Sequence, residues 1–276
     1  MSRRHPPAEG LPDYARLDEA GEAAAAARRM EARAAEPASA ALFEALVRPL
    51  LPGVRRVLEV GCGSGALARR VAAASDAEVL ATDKSEGMLA VAAARGGRVA
   101  FQRWAAPDEP VPTGEFDLIL SSVVVPYLEP SAAEALVVDL AARLRPGGRL
   151  VFIEQDLQTD ALHFPDPELR TRVFAKDRRP APRHLALGLR ALLRAAGLAL
   201  DPPCAHLWIT HDHGPYLQDL LGAMARDATA AGRITEAERG HWESELAALA
   251  ARGDFAYSLL YHRVGGVRPA ALSTPR

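Results

Sequence analysis

A short β-branched run, Arg56 to Val60, passes without a break into Gly61-Cys62-Gly63-Ser64-Gly65 and then into Ala66 to Ala74, a stretch of good helix formers. Strand, glycine loop and helix in direct succession constrain the fold more than any other feature of this chain. The unit predicts a parallel sheet, whose strands need a helical crossover between them. The loop also implies a ligand. Glycines let the backbone approach a bound molecule closely, and the helix behind them presents free N–H groups and a positive dipole end.

The alternation continues downstream. Glu78 to Thr82 repeats the strand signal and ends at Asp83, and Ser85 is placed to cap a helix running to about Arg95. Val99 to Arg103 and Phe116 to Ser121 read as the third and fourth strands. Ser131 with Glu134 predicts a capping box, and Leu136, Val137, Leu140 and Leu144 give that helix an apolar face. Arg145-Pro146-Gly147-Gly148 terminates it, and Leu150 to Ile153 is the fifth strand. The class is therefore α/β, with a doubly wound, mostly parallel sheet covered on both faces.

Around this core the chain is more helical. Residues 1–13 read as a loose tail, Leu17 to Ala35 favours helix, and Leu42, Phe43, Leu46, Val47 and Leu50 form one apolar face before Pro52-Gly53. Glu154 to Pro182 is polar and proline-punctuated, which predicts an irregular cover rather than a core element. Leu185, Leu189, Leu192, Leu193 and Ala196 line a helix closed by Gly197. Residues 204–210 form a strand, residues 215–231 and 235–251 two helices, and Phe255 to Val264 a last strand with Phe255, Tyr257, Leu259 and Tyr261 on one face. The expected organisation is a single domain over 14–276, with a core sheet at about 54–153 and 198–265 and helical caps at about 17–50, 154–183 and 214–252.

Composition narrows the partners. A chain of 276 residues with 49% hydrophobic and 25% charged residues is an ordinary globular protein, and a net charge of −2 gives no support to nucleic-acid binding by bulk positive charge. No apolar run is long enough to span a membrane, and no apolar segment follows the basic start to make a secretory signal. Two cysteines, Cys62 and Cys204, fit a reducing compartment, so the expected location is the cytoplasm. No C-x-x-C or H-E-x-x-H is present, and no metal is predicted.

Two features sharpen the reading of the loop: Glu59 lies two residues before Gly61, and Asp83 closes the second strand, where a carboxylate can take both hydroxyls of a ribose or else cap the next helix. Gly61-x-Gly63-x-x-Ala66 with Asp83 also fits a permissive dinucleotide fingerprint, but Glu59-x-Gly61 and the turn before the fifth strand have no place in it. Taken in order, Val57 to Gly65, Ala81-Thr82-Asp83, Phe116 to Ser122 and Leu144 to Val151 resemble the motifs of the class I S-adenosylmethionine-dependent methyltransferases. Within that class the small-molecule, ubiquinone-methylase-like superfamily is the nearest resemblance. It covers about 40–265 and implies a Rossmann-like seven-stranded sheet with an antiparallel last strand.

The resemblance implies S-adenosyl-L-methionine as cofactor. Gly61, Cys62, Gly63 and Gly65 would hold its methionine part, with Glu59 beneath, and Asp83 would bind ribose. Lys84 and Met88 would flank adenine, and Ser121 with Ser122 would run along the methionine chain. Trp104-Ala105-Ala106 stands where the family often has Gly-Asp-Ala, so adenine would lean on backbone groups or on Trp104.

The acceptor is less marked. Val124-Val125-Pro126-Tyr127 lacks the Asn or Asp and the first proline found where bases or glutamine amides are methylated, so the implied partner is a small molecule, neither nucleic acid nor membrane. An Ala- and Leu-lined roof suggests a partly apolar acceptor such as a secondary metabolite, methylated at oxygen or nitrogen, by a monomer or homodimer. His211 and His213 are the expected proton acceptors, since a neutral imidazole suits a hydroxyl substrate, and Asp156 is a further candidate. A cofactor-binding protein of the same fold that does not methylate is the alternative.

Overall fold

The computed structural model describes residues 16–175 and 185–270, so the predicted tail and part of the 154–183 cover lie outside the described residues. Its strands are β1 (Arg56–Val60), β2 (Glu78–Asp83), β3 (Val99–Arg103), β4 (Phe116–Ser122), β5 (Leu144–Leu162), β6 (Ala199–Leu200), β7 (Cys204–Thr210) and β8 (Tyr257–Val267). They form one sheet in the order β3-β2-β1-β4-β5-β8-β6, with β7 also paired to β8. The pairs from β3 to β5 are parallel, and β8 runs antiparallel to β5, β6 and β7.

The eight strand segments occupy seven positions. β6 and β7 are pieces of one edge strand, interrupted at Pro202-Pro203, which have no N–H to give to a ladder. Asp201 still donates its N–H to Gly265 O at 2.9 Å. The close approach there depends on Gly265, because a Cβ at that position would meet Asp201 Oδ2 at 2.7 Å and Leu150 O at 3.0 Å.

Helices α1 (Ala23–Ala35), α2 (Pro37–Leu46), α3 (Ala66–Ala74), α4 (Glu86–Ala94), α5 (Pro130–Ala142), α6 (Pro167–Phe174), α7 (Leu185–Ala195), α8 (Pro215–Ala230) and α9 (Glu236–Arg252) flank the sheet. Alternate strand residues face opposite ways, which divides the core. Val57, Leu118, Leu120, Val151 and Ile153 pack with α2, α3, α8 and α9 on one face. Leu58, Ile119, Leu150 and Phe152 pack with α5 and α7 on the other.

Two local expectations are corrected. Ser131 and Glu134 lie inside α5, whose N-cap is Glu129 with Pro130 in the first turn; the pre-set φ of proline opens the helix without a side-chain cap. A capping box is found instead at Thr235 and Glu238, opening α9. The segment after Ile153 is also not irregular: β5 continues to Leu162, paired with β8 from Glu154↔His262 to Leu162↔Tyr257, with a register shift between Asp156 and Ala161. Its polar side chains are explained by the exposed surface of this two-stranded extension. α6 follows, capped by Asp166.

Candidate active site

The loop after β1 is held by its own backbone. Cys62 N–H donates to Thr82 O and Gly65 N–H to Cys62 O, each at 2.8 Å. Gly61, Gly63 and Gly65 have φ of +69°, +54° and +74°, a region that strains other residues. Close approach adds a second demand: a Cβ on Gly61 would fall 2.3 Å from Val124, and one on Gly63 would fall 2.4 Å from Met30 Sδ.

Asp83 is tied into this loop. Its Oδ2 accepts the Gly63 N–H at 2.8 Å and its Oδ1 the Ser85 N–H at 3.0 Å. Burial raises its pKa against the lowering effect of those N–H groups. Glu59, below the loop, is 3% exposed, and burial together with the Asp83 charge pushes it up to about 8. Its Oε2 has no hydrogen-bond partner. Burial likewise pushes the Cys62 thiol up.

These groups open onto a cavity of about 390 Å³, within the range of small-ligand sites. Glu59, Gly61, Cys62, Gly63, Asp83, Lys84, Met88, Trp104 and Ser122 all line it. Three of the expected cofactor residues do not. Gly65 turns the chain into α3 against Phe101. Ser121 is fully buried with an unpartnered Oγ; alternation along β4 puts it on the face opposite Ser122. Ala105 gives its N–H to Glu109 Oε2, while Trp104 Nε1 donates to Glu109 O at 2.9 Å.

The N-terminal segment lies over the loop. Leu17, Met30 and Met88 pack together, and Asp18 binds the start of α4 through Ser85 Oγ at 2.6 Å, Glu86 N at 2.9 Å and Gly87 N at 3.2 Å. At the tip of β4, Val123 has a φ of +56°, costly for a β-branched residue, and sits in the cavity wall beside Val124.

The cavity continues under α2, β7, α8 and the β5–β8 ribbon. Here Gln155 Nε2 donates to Tyr261 Oη at 2.6 Å, both on the wall. Trp208 Nε1 donates to Ser39 Oγ at 3.0 Å, and Ser39 Oγ donates to Arg33 O at 2.6 Å. None of these residues was singled out as a site residue from the sequence; only the alternating pattern that holds Tyr261 was visible.

His211, His213 and Asp156 are not among the residues lining the cavity. His211 Nδ1 is 3.0 Å from Phe255 O, and His213 stacks on Phe255 with ring centroids 4.9 Å apart. Register explains their distance. Thr210, which leads into this segment, pairs with Tyr257, four residues beyond Tyr261 on β8, or about 13 Å at ~3.3 Å per residue. Asp156 faces away from Gln155 and lies 3.5 Å from His262 Nε2.

Residues 57–148 match the family model described as a methyltransferase domain. That stretch carries a methyltransferase domain. A trans-aconitate 2-methyltransferase of Variovorax paradoxus (strain S110) is 34% identical over 145 residues, covering 49% of this chain and 51% of the relative. A ribosomal protein L11 methyltransferase of Stenotrophomonas maltophilia (strain K279a) is 34% identical over 135 residues, covering 48% and 40%. The chain thus spans about half the length of these curated relatives or less. A chain from the solved complex of the Haloferax volcanii Trm112 methyltransferase activator with a methyltransferase shares the fold, with a TM-score of 0.52 at 18% identity over 90% of this chain and 96% of that one. Among the described residues, no helix is long and apolar enough to cross a membrane, and no cluster could hold a metal ion.

Proposed function

We propose that the protein transfers the methyl group of S-adenosylmethionine to a small molecule, at oxygen or nitrogen. The observation that carries this is the loop end of the cavity, where the partnerless Glu59 Oε2 and the Asp83 carboxylate face the wall built by Gly61 to Gly63. Glu59 would accept from the cofactor's ammonium, Asp83 from its ribose, and Met88 and Trp104 would enclose adenine. The cofactor supplies an electrophilic methyl on sulfur; the protein's part is to align an acceptor with it.

A small acceptor is supported by the roof. Residues of α1, α2 and α8 line the cavity opposite the sheet. The two curated relatives differ in what their names say they act on, one a small acid and the other a ribosomal protein. The unpaired thiols of Cys62 and Cys204 fit a cytoplasmic location.

Calorimetry with S-adenosylmethionine and S-adenosylhomocysteine tests the binding, with NAD as control. Tight binding of the first two and none of NAD is expected; the reverse overturns the reading. Incubation with methyl-labelled cofactor and fractionated metabolites tests the transfer. Binding with no transferred label would favour a non-methylating protein.

A further inference from the structure

We propose that Glu154 is a positioning residue: its buried carboxyl fixes the turn at the tip of β4, which forms the cavity wall between the glycine loop and the β5–β8 ribbon. This rests on the cofactor reading above and concerns a residue that does not itself line the cavity.

The turn is held on two sides. Ser122 ends β4 opposite Ile153, and the next N–H, that of Val123, donates to Ile153 O at 3.0 Å. Val123 then takes a φ of +56°, which a β-branched residue adopts only where its surroundings compel it. Val124 follows, and its side chain fills the space that Gly61 leaves, since a Cβ on Gly61 would meet Val124 Cγ2 at 2.3 Å. One side of the turn is thus tied to β5, and the other presses on the glycine loop. Ser122, Val123, Val124, Tyr127 and Leu128 all line the cavity. A shift of this turn therefore moves the wall against which a bound molecule rests.

Glu154 stands behind it. It follows Ile153 on β5 and points to the face opposite Ile153 and Gln155, where Phe152 and Val125 belong to the apolar layer packed with α5 and α7. There it is 1% exposed, and neither carboxyl oxygen has a hydrogen bond of full geometry. The groups it faces are the backbone N–H groups of Val124 and Val125. A carboxyl buried without a full partner destabilises a fold, so its presence needs a reason. The strained turn supplies one: an acceptor set before two successive N–H groups holds Val124 and Val125 in the orientation that the positive φ of Val123 demands. A carboxyl oxygen accepts whether or not the group carries its proton, and the amide oxygen of a glutamine can take the same place. An apolar side chain of similar size cannot.

Calorimetry with S-adenosylhomocysteine, hydrogen exchange and thermal melting on the full chain test the assignment. Glu154→Leu is expected to weaken S-adenosylhomocysteine about tenfold or more at a temperature where its circular dichroism matches the wild type, and Glu154→Gln to stay within about threefold. Exchange in Glu154→Leu should accelerate in the peptide covering residues 121–128 and stay unchanged in β1 and β2. Unchanged affinity in a folded Glu154→Leu, or acceleration spread over the sheet, means that Glu154 only fills its layer and overturns the assignment. A Glu154→Gln as weak as Glu154→Leu overturns it too, because the acceptor oxygen would then not be what counts. Val123→Gly tests the turn even if Glu154→Leu does not fold, since glycine relieves the φ of +56° but frees the backbone. Its melting temperature should not fall, while S-adenosylhomocysteine should bind about threefold more weakly or worse, with faster exchange in the same peptide. Binding as tight as the wild type would mean that the turn need not be pre-set, and the proposal is overturned. A wild type that binds no S-adenosylhomocysteine at all overturns the cofactor reading itself.

Discussion

Asp83 Oδ2 accepts the Gly63 N–H at 2.8 Å, so the side chain proposed to meet the cofactor also holds the shape of the glycine loop beside it. Asp83→Ala is expected to weaken S-adenosylhomocysteine binding about 10- to 100-fold, as for the loss of charged hydrogen bonds, and to lower the melting temperature because two buried N–H groups lose their acceptor. Asp83→Asn keeps an acceptor oxygen and should lose less. Calorimetry and thermal melting on both variants check this.

Gly63 faces a clash that can yield and a backbone that cannot. Met30 is flexible and its sulfur can swing aside, whereas a φ of +54° costs an alanine about 1–2 kcal/mol. Gly63→Ala should therefore destabilise the protein by about that amount in urea unfolding. Adding Met30→Ala should not rescue it; full rescue would mean the contact, not the backbone, sets the cost.

Two buried carboxyls give the stability a pH dependence. Burial pushes Glu59 and Glu154 from 4.5 to about 8, the backbone N–H groups of Val124 and Val125 offsetting only part of the effect at Glu154. Below about 4.5 both are protonated whether the chain is folded or not. Between about 4.5 and 8 the unfolded chain releases protons that the folded one keeps, so stability falls as pH rises through this window. Glu238, held down to about 2 by Arg172 and Thr235, acts only at more acid pH. Glu154→Gln should flatten the melting-temperature profile across about pH 5 to 8 without changing it below.

Asp18 supplies a cap to a helix not its own. Asp18→Ala should cost about 1 kcal/mol and expose α1, since the bonds to Ser85, Glu86 and Gly87 disappear together. Hydrogen exchange should accelerate at residues 23–35 and at the start of α4, with β1 and β4 unchanged; uniform acceleration would mean the segment is not an independent unit.

The sheet was legible because its signals are local: β1, α3 and β3 begin and end where β-branched runs, glycines and helix formers say they should. The floor of the cavity was legible for the same reason, as Glu59, the glycines and Asp83 follow one another at short spacing. The roof was not. Gln155 and Tyr261 are 106 residues apart and meet only through the β5–β8 register, and Ser39 meets Trp208 across 169 residues. His211 and His213 sit off the cavity wall for the same reason: their imidazoles and their place after a strand suggested bases, but the β7–β8 register sets where they lie. At Pro130 a nearby proline outranked a plausible capping box.

The cavity is assembled from one compact run of the chain and from several dispersed segments. Its floor comes largely from residues 59–104, inside the segment that matches the methyltransferase-domain model, while Arg33, Gln155, Trp208, Tyr216 and Tyr261 all lie outside it. Substitutions in these roof positions leave the glycine loop and its bonds to Asp83 untouched. On the proposed function, selection can therefore retune which molecule is modified while the glycine-loop half stays unchanged, and likeness in residues 57–148 carries little information about the acceptor. An engineer seeking a new substrate would begin with α2, β7 and the β5–β8 ribbon.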